Sequence, residues 1–394
     1  MKTLAILGST GSIGRQTLNV VESLPERFRI VALAAGANLE ELTAQIRRHR
    51  PELVSVGDES KISELRARLQ SASVPLPEIQ CGREGLLNVA THPGANLLVS
   101  AAVGVVGLEG TYAAIKAGKQ VALSNKEVLV AAGELVMAAA KASGVDLLPI
   151  DSEHNAIHQC LRVGTRPEVR RLVLTASGGP FRRTPLAKLA DVTPEQALNH
   201  PNWRMGQRIT IDSATLVNKG FEVIEAHWLF GAKSEQIDVV IHPQSTIHSM
   251  VEYVDGSVLA QLGPTDMRMP IQYALTYPER VASNGVELNW EKLRRLDFEK
   301  VSTRRFPCLR LARKALQEGG AQPCAFNAAD EVAVEAFLGR KLPFLGIAAV
   351  IESVLGKMPK LNPGSIEDVL QADVEARRLA REEVARQAMA VAAG

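Results

Sequence analysis

Six short apolar runs recur through the first 150 residues, at 4–7, 30–35, 53–56, 97–100, 120–123 and 147–150. None carries a charge, and runs of this kind are typical of strands buried on both faces rather than half-exposed ones. Amphipathic segments lie between them. After the first run, Ile13, Leu18, Val21 and Leu24 offer one apolar helix face, and Pro25 stands near that helix's end. Strand and helix alternating in this order predict an α/β domain, a parallel sheet with helices on both faces.

The pattern changes further along. Residues 241–262 alternate in part, as expected of a sheet with one exposed face, open to sharing between two subunits. The segment 290–296, WEKLRRL, reads as a charged linker. Segments near 307–319, 324–338, 344–356 and 364–390 have helical periodicity and are broken by Gly319-Gly320, Pro343 and Pro363, which predicts a small helical bundle. The expected division is 1–150, a dinucleotide-binding domain; 151–284, a catalytic and dimerisation domain with a lid near 199–207; 285–311, a linker; and 312–394, a helical domain.

Bulk properties narrow the function. At 394 residues the chain exceeds a single core, and 46% hydrophobic with 22% charged residues describes an ordinary globular protein. A net charge of +2 does not indicate a nucleic-acid binder. The low-charge stretches 85–108 and 121–140 are interrupted, the first by Asn88, Thr91, His92, Pro93 and Asn96, the second by Lys126, Glu127 and Glu134, so neither is expected to span a membrane. The apolar start is too short for a signal peptide. Cys81, Cys160, Cys308 and Cys324 show neither metal spacing nor a disulfide framework, so buried thiols in a cytoplasmic enzyme are expected.

Candidate chemistry begins where the first strand ends, in GSTGSIG at 8–14. Strand, glycine turn and helix bring backbone N–H groups and a positive helix end towards a pyrophosphate. The second strand ends in Gly36-Ala37-Asn38 without the carboxylate that grips an NAD ribose, although Glu40 and Glu41 follow, and this favours NADP(H). The strand at 120–123 runs into Ser124-Asn125-Lys126-Glu127, which is either a ligand-facing cluster or a solvated helix cap. The next strand delivers Asp151-Ser152-Glu153, whose carboxylates project to the same side in extended backbone; they can share a hard divalent metal or cap a helix.

The block 212–222, DSATLVNKGFE, favours the metal. Asn218, Lys219 and Glu222 can share one helix face, and Glu222 can add a third carboxylate. Ser213, Asn218 and Lys219 supply hydroxyl, amide and ammonium donors suited to a phosphate monoester. Oxygen ligands alone favour Mg²⁺ or Mn²⁺ over Zn²⁺. Between these blocks, Ser177-Gly178-Gly179-Pro180-Phe181 offers a hydroxyl and turn amides to an anion. His200-Pro201-Asn202-Trp203-Arg204-Met205-Gly206 has the aromatic and turn residues expected of a lid.

These blocks, with LSNKE at 123–127, PIDSEHNAI at 149–157, IDSATLVNKGFEVIEAHWLF at 211–230, IHPQSTIHSMVEY at 241–253, LGPTDMRMPIQYAL at 262–275 and FNAADEVAVEAF at 326–337, resemble the 1-deoxy-D-xylulose 5-phosphate reductoisomerase family. The resemblance implies a Rossmann-like NADPH-binding domain, a central α/β domain and a C-terminal helical bundle. It implies rearrangement of 1-deoxy-D-xylulose 5-phosphate to an aldehyde phosphate, then reduction by NADPH to 2-C-methyl-D-erythritol 4-phosphate, on the non-mevalonate route to isoprenoid precursors. By the same resemblance Asp151, Glu153 and Glu222 ligate the metal. Lys126, Ser152 and Glu153 meet the substrate's carbon chain, while Ser177, Ser213, Asn218 and Lys219 hold its phosphate. His200 approaches from the lid and Trp203 closes over the substrate. The catalytic group so implied is Lys126, Asp151, Glu153, His200 and Glu222. Thr10, Gly11, Ser12, Ile13, Gly36, Ala37, Asn38, Asn125, Glu127 and Gly206 line the NADPH site. Some members carry a lysine where this chain has Ala37, which offers only its backbone there. A homodimer is also implied.

Two other readings give different outcomes. A metal-independent NAD(P) dehydrogenase of a phosphorylated substrate would tolerate Gln at position 153 or 222. A nucleotide-sensing module would keep the glycine loop but oxidise no NADPH with any sugar phosphate and metal.

Overall fold

The computed structural model describes residues 1–392 apart from positions 103, 204, 284 and 286, with side chains described as far as 389. Arg204 of the lid motif, the domain boundary at 284 and the last two positions of the helical domain lie outside the described residues. Contacts divide the chain into two units. The first comprises Met1–Val128, Val136–Asn155 and Asp266–Val286, and the second Leu129–Leu135, Ala156–Thr265 and Glu287–Gly394.

The first part of the chain alternates strand and helix: β1 (Lys2–Leu7), α1 (Ser12–Ser23), β2 (Phe28–Ala34), α2 (Leu39–His49), β3 (Leu53–Val56), α3 (Glu59–Ser71), β4 (Glu78–Cys81), α4 (Gly82–Ala90), β5 (Leu97–Ser100), α5 (Val106–Lys116), β6 (Gln120–Leu123), α6 (Lys126–Ser143), β7 (Leu147–Pro149) and α7 (Ser152–Cys160). The strands form one parallel seven-stranded sheet in the order β4-β3-β2-β1-β5-β6-β7. Five of the six apolar runs are central strands, and burial on both faces explains their lack of alternation. β4 escapes a pattern search because it lies at the sheet's edge and buries only Ile79.

Strand order reverses at β1, which pairs with β2 on one side and β5 on the other. Ligands of open α/β sheets sit at the carboxyl ends of such strands. Leu4, Ile6, Ile30, Leu33, Val54 and Val99 form the core of this unit, and Ile271 and Leu275 join it from residues 266–286.

The remaining elements are β8 (Val169–Ala176), α8 (Pro194–Ala197), α9 (Gln207–Thr215), α10 (Val217–Phe230), β9 (Ile237–Ile241), β10 (Ile247–Tyr253), β11 (Val258–Leu262), α11 (Arg268–Thr276), β12 (Glu299–Lys300), α12 (Pro307–Glu318), α13 (Gln322–Leu338), α14 (Phe344–Lys357) and α15 (Ile366–Ala392). All but α11 belong to the second unit, whose sheet runs β11-β10-β8-β9-β12. Only the β8–β9 pair in it is parallel. The alternation at 241–262 is realised as the β10–β11 hairpin, with Val258 and Leu259 exposed on the edge strand. Helices α12 to α15 match the four predicted helical segments to within about two residues.

No described helix is long and apolar enough to cross a membrane. All four cysteines are free, and burial pushes the Cys308 and Cys324 thiols well above their ordinary range, as expected of inert core residues.

Candidate active site

In the first unit the glycine loop leaves β1 at Gly8, whose φ of +80° a side chain rarely adopts. A Cβ there would lie 2.5 Å from the Ala101 carbonyl oxygen beyond β5, and one on Gly14 would lie 2.4 Å from the carbonyl oxygens of Gly8 and Ser9. These glycines therefore let strand, turn and helix pack against one another. Gly11 is the N-cap of α1 and supplies no side chain to its first-turn amides. Those N–H groups at a positive helix end are what an anion requires. Thr10 and Ile13 are partly exposed, and Gly11 and Ser12 are exposed.

At the end of β2, Gly36, Ala37 and Asn38 are exposed, and a Cβ on Gly36 would meet nothing within 4 Å. The Asn38 carboxamide oxygen accepts from the Glu41 N–H at 3.1 Å and so caps α2. Asn125 and Glu127 are buried braces. The Asn125 amide donates to the Gly104 carbonyl at 2.8 Å, and the Gly104 N–H donates to the Glu127 carboxylate at 3.2 Å. They shape the loop after β5 whatever else they touch.

Asp151 stands just ahead of α7, and its carboxylate accepts from the Glu153 N–H at 3.4 Å, so helix capping is part of its role. It is also paired with the Lys126 ammonium from the start of α6 and lies 3.7 Å from His154 Nδ1. The Ser152 hydroxyl donates to the Glu153 carboxylate at 2.5 Å. Lys126, Asp151, Ser152 and Glu153 thus form one cluster at the carboxyl ends of β6 and β7.

The second unit carries its own cluster. Gly178 and Gly179 both have positive φ, and a Cβ on Gly179 would lie 2.9 Å from the Ser213 carbonyl oxygen, so this turn is pressed against α9. His200 Nε2 lies 2.9 Å from Ser177 Oγ, while its Nδ1 accepts from the Asn202 and Trp203 N–H groups at 3.1 and 3.0 Å. A ring nitrogen that accepts two amides carries no proton, so the neutral imidazole keeps its proton on Nε2 and donates to Ser177. Burial lowers the His200 pKa from its ordinary value, which favours that neutral form.

Helices α9 and α10 meet at Leu216, a non-glycine residue in the left-handed region at φ 59°. The joint leaves Ser213 and Asn218 partly exposed and buries Lys219 and Glu222, which are 3% and 0% exposed. The Asn218 amide donates to Glu222 at 2.7 Å, and the Lys219 ammonium is ion-paired with the same carboxylate. Asn218 Oδ1 is buried with no partner among the described residues, so it remains open to a ligand's donor.

The chain matches three family models: 1-deoxy-D-xylulose 5-phosphate reductoisomerase over residues 4–133, its C-terminal domain over 147–230, and the DXP reductoisomerase C-terminal domain over 262–379. It is 54% identical over 383 residues to the 1-deoxy-D-xylulose 5-phosphate reductoisomerase of Chlorobaculum tepidum, covering 97% of this chain and 99% of that protein. The chain belongs to the 1-deoxy-D-xylulose 5-phosphate reductoisomerase family. Its fold matches the Zymomonas mobilis reductoisomerase in complex with NADPH, with a TM-score of 0.91 at 45% identity over 97% of this chain and 99% of that one. It also matches a DOX-P reductoisomerase in complex with NADPH, fosmidomycin and magnesium, with a TM-score of 0.93 at 41% identity over 98% of each chain.

Within this family's blocks the structure adds residues that spacing did not single out. The Asn202 amide of the 200–206 motif donates to Ser245 Oγ at 3.0 Å and to the Pro243 carbonyl at 2.5 Å. The Trp203 ring lies 6.3 Å from that of His248. Ser245 and His248 fall in the 241–253 block, which drew attention as a family pattern rather than for its chemistry. Gly206, assigned to the cofactor by resemblance, is the N-cap of α9.

Proposed function

We propose that this chain rearranges 1-deoxy-D-xylulose 5-phosphate and reduces the product with NADPH to 2-C-methyl-D-erythritol 4-phosphate, using Mg²⁺ or Mn²⁺. The observation that carries the reading is membership of this family over nearly the whole chain, with each donor the chemistry needs present. The exposed turns at 10–13 and 36–38 fit a dinucleotide: backbone amides lie at the uncapped start of α1, and space is open beside Gly36. Asp151, Glu153 and Glu222 fit a hard divalent ion because they are oxygen donors only.

Bound metal supplies Lewis acidity at the substrate's carbonyl, and bound NADPH supplies the hydride. The chain's own residues bind, orient and exclude water. Ser177, Ser213, Asn218 and Lys219 hold the phosphate, whose binding energy closes the lid and orients the reacting carbons. Lys126, Ser152 and Glu153 meet the carbon chain, and the Lys126 ammonium is ion-paired with the Asp151 carboxylate. Neutral His200 donates from Nε2. Trp203 closes over the substrate and keeps water from the aldehyde. Thr10, Gly11, Ser12, Ile13, Gly36, Ala37, Asn38, Asn125, Glu127 and Gly206 line the cofactor site. Residues 1–150 serve the cofactor, 151–284 catalysis and dimerisation, 285–311 linkage, and 312–394 form the helical domain. The protein works as a cytoplasmic homodimer, which sedimentation of the purified chain would test.

The deciding assay is loss of NADPH absorbance with 1-deoxy-D-xylulose 5-phosphate and Mg²⁺ or Mn²⁺. Oxidation that stops on chelation and fails in Glu222→Gln establishes both the reaction and the carboxylate site. Oxidation that survives EDTA and Glu222→Gln points to the metal-independent dehydrogenase.

A further inference from the structure

An ion-pair ladder in the second unit has no part in the chemistry described so far. Arg208 lies in the first turn of α9, between the lid and Ser213. Its guanidinium donates to Glu331 Oε1 at 2.8 Å and to Asn327 Oδ1 at 2.9 Å, both on α13. The same group lies 3.6 Å from the Asp330 carboxylate and 3.7 Å from that of Asp212. Its other face sits 5.8 Å from the Phe221 ring on α10, which packs edge-on against Phe326 of α13 at 5.5 Å. Glu331 continues the ladder, since its second oxygen accepts from Arg377 of α15 at 2.5 Å and Arg377 also donates to Asp373 at 2.6 Å.

One side chain therefore touches α9, α10 and α13 together. These contacts matter because α9 and α10 are joined only by the left-handed Leu216, and the phosphate and carboxylate donors stand on both sides of that joint. A fork-shaped cation that bonds two acceptors on a neighbouring helix fixes orientation as well as distance, which an ammonium cannot do equally well. The Arg208 side chain is 20% exposed, and the fully buried Asp330 carboxyl stands 3.6 Å from its guanidinium.

We propose that Arg208 is a positioning residue for the reaction, holding α9 and α10 in register against the C-terminal helices so that Ser213, Asn218, Lys219 and Glu222 meet the sugar phosphate together. The proposal rests on the reading of those four residues as substrate and metal donors.

The test compares Arg208→Met, Arg208→Lys and Glu331→Gln in the full-length enzyme. Arg208→Met raises KM for the sugar phosphate about tenfold or more and leaves the NADPH dissociation constant unchanged, Arg208→Lys restores part of the loss, and Glu331→Gln is not additive with Arg208→Met. Hydrogen exchange speeds up across 209–222 in Arg208→Met while residues 324–338 keep their protection. A folded Arg208→Met with a lower Tm but unchanged KM, or with unchanged exchange at 209–222, overturns the proposal. Should that variant not fold, Asn327→Ala and Glu331→Gln each remove one bond to Arg208, and unchanged KM in both is equally fatal. If the wild-type enzyme does not consume the substrate, the proposed activity fails, and the exchange comparison alone still decides whether Arg208 holds the helix pair.

Discussion

In the first unit two of the segments assigned to the cofactor, 10–13 and 36–38, are turns with exposed residues at the ends of parallel strands. In the second, Asn218 and Lys219, both assigned to the phosphate, stand on the largely buried α10 and are each bonded to Glu222. The turns at 8–14 and 36–38 work through backbone: glycines allow close approach, and the start of α1 is left without a side-chain cap. The α9–α10 cluster works through side chains, with Lys219 and Asn218 both directed at Glu222. A backbone site needs only the right turn in the right place. A side-chain site needs its partners held at charge-pairing distance, which several helices must arrange.

The difference predicts separable damage. Lys219→Met leaves the Glu222 carboxylate buried without its ammonium, a loss of about 3–5 kcal/mol of stability for a broken buried pair. Calorimetry and steady-state kinetics should show a large fall in Tm and a steep rise in KM for the sugar phosphate, with NADPH affinity intact in the folded fraction. A parallel loss of NADPH affinity would break the comparison.

Gly14→Ala should do the reverse. Its new Cβ would lie 2.4 Å from two carbonyl oxygens, and the glycine loop must move. Overpacking of this kind costs about 1–3 kcal/mol, and the displaced loop should weaken NADPH by roughly 10- to 100-fold in a fluorescence titration. Protection from exchange across 209–222 should stay as in the wild type.

A third difference belongs to the acid beside Arg208. Burial pushes the Asp330 carboxyl up to about 7, against the lowering pull of Arg208 and with a further push from Glu331. The unfolded chain ionises this group near pH 4, so between about pH 4 and 7 the native state holds a proton that the unfolded state has lost, and stability falls as pH rises. Asp330→Asn removes that slope. Its Tm advantage over the wild type should grow from about pH 4 to about pH 7 and then level off, and a constant difference would place the titration elsewhere.

Much of the first unit was legible because its signals are local. Uncharged runs marked six strands, the spacing of Leu18 and Val21 marked α1, and the glycines marked the turn between. The pair Asp151 and Glu153 was equally visible, and the structure adds that Asp151 also caps α7. The Arg208 ladder was not legible, because Arg208 lies more than 100 residues from its partners Asn327 and Glu331 and reads singly as an ordinary surface charge. Nor was the His200 tautomer, which depends on two backbone amides and a serine brought close by the fold of residues 200–203 and the turn at 177.

By itself, then, the sequence determined the alternation of strand and helix, the four C-terminal helices, the family and the identities of the donor side chains, since each rests on short-range periodicity or contiguous motifs. Only the tertiary structure decided which donors pair, which nitrogen of His200 carries the proton, and which helices Arg208 contacts beside the left-handed Leu216. Those outcomes depend on burial and on distances between segments remote in the chain, where small displacements change which charges neutralise each other.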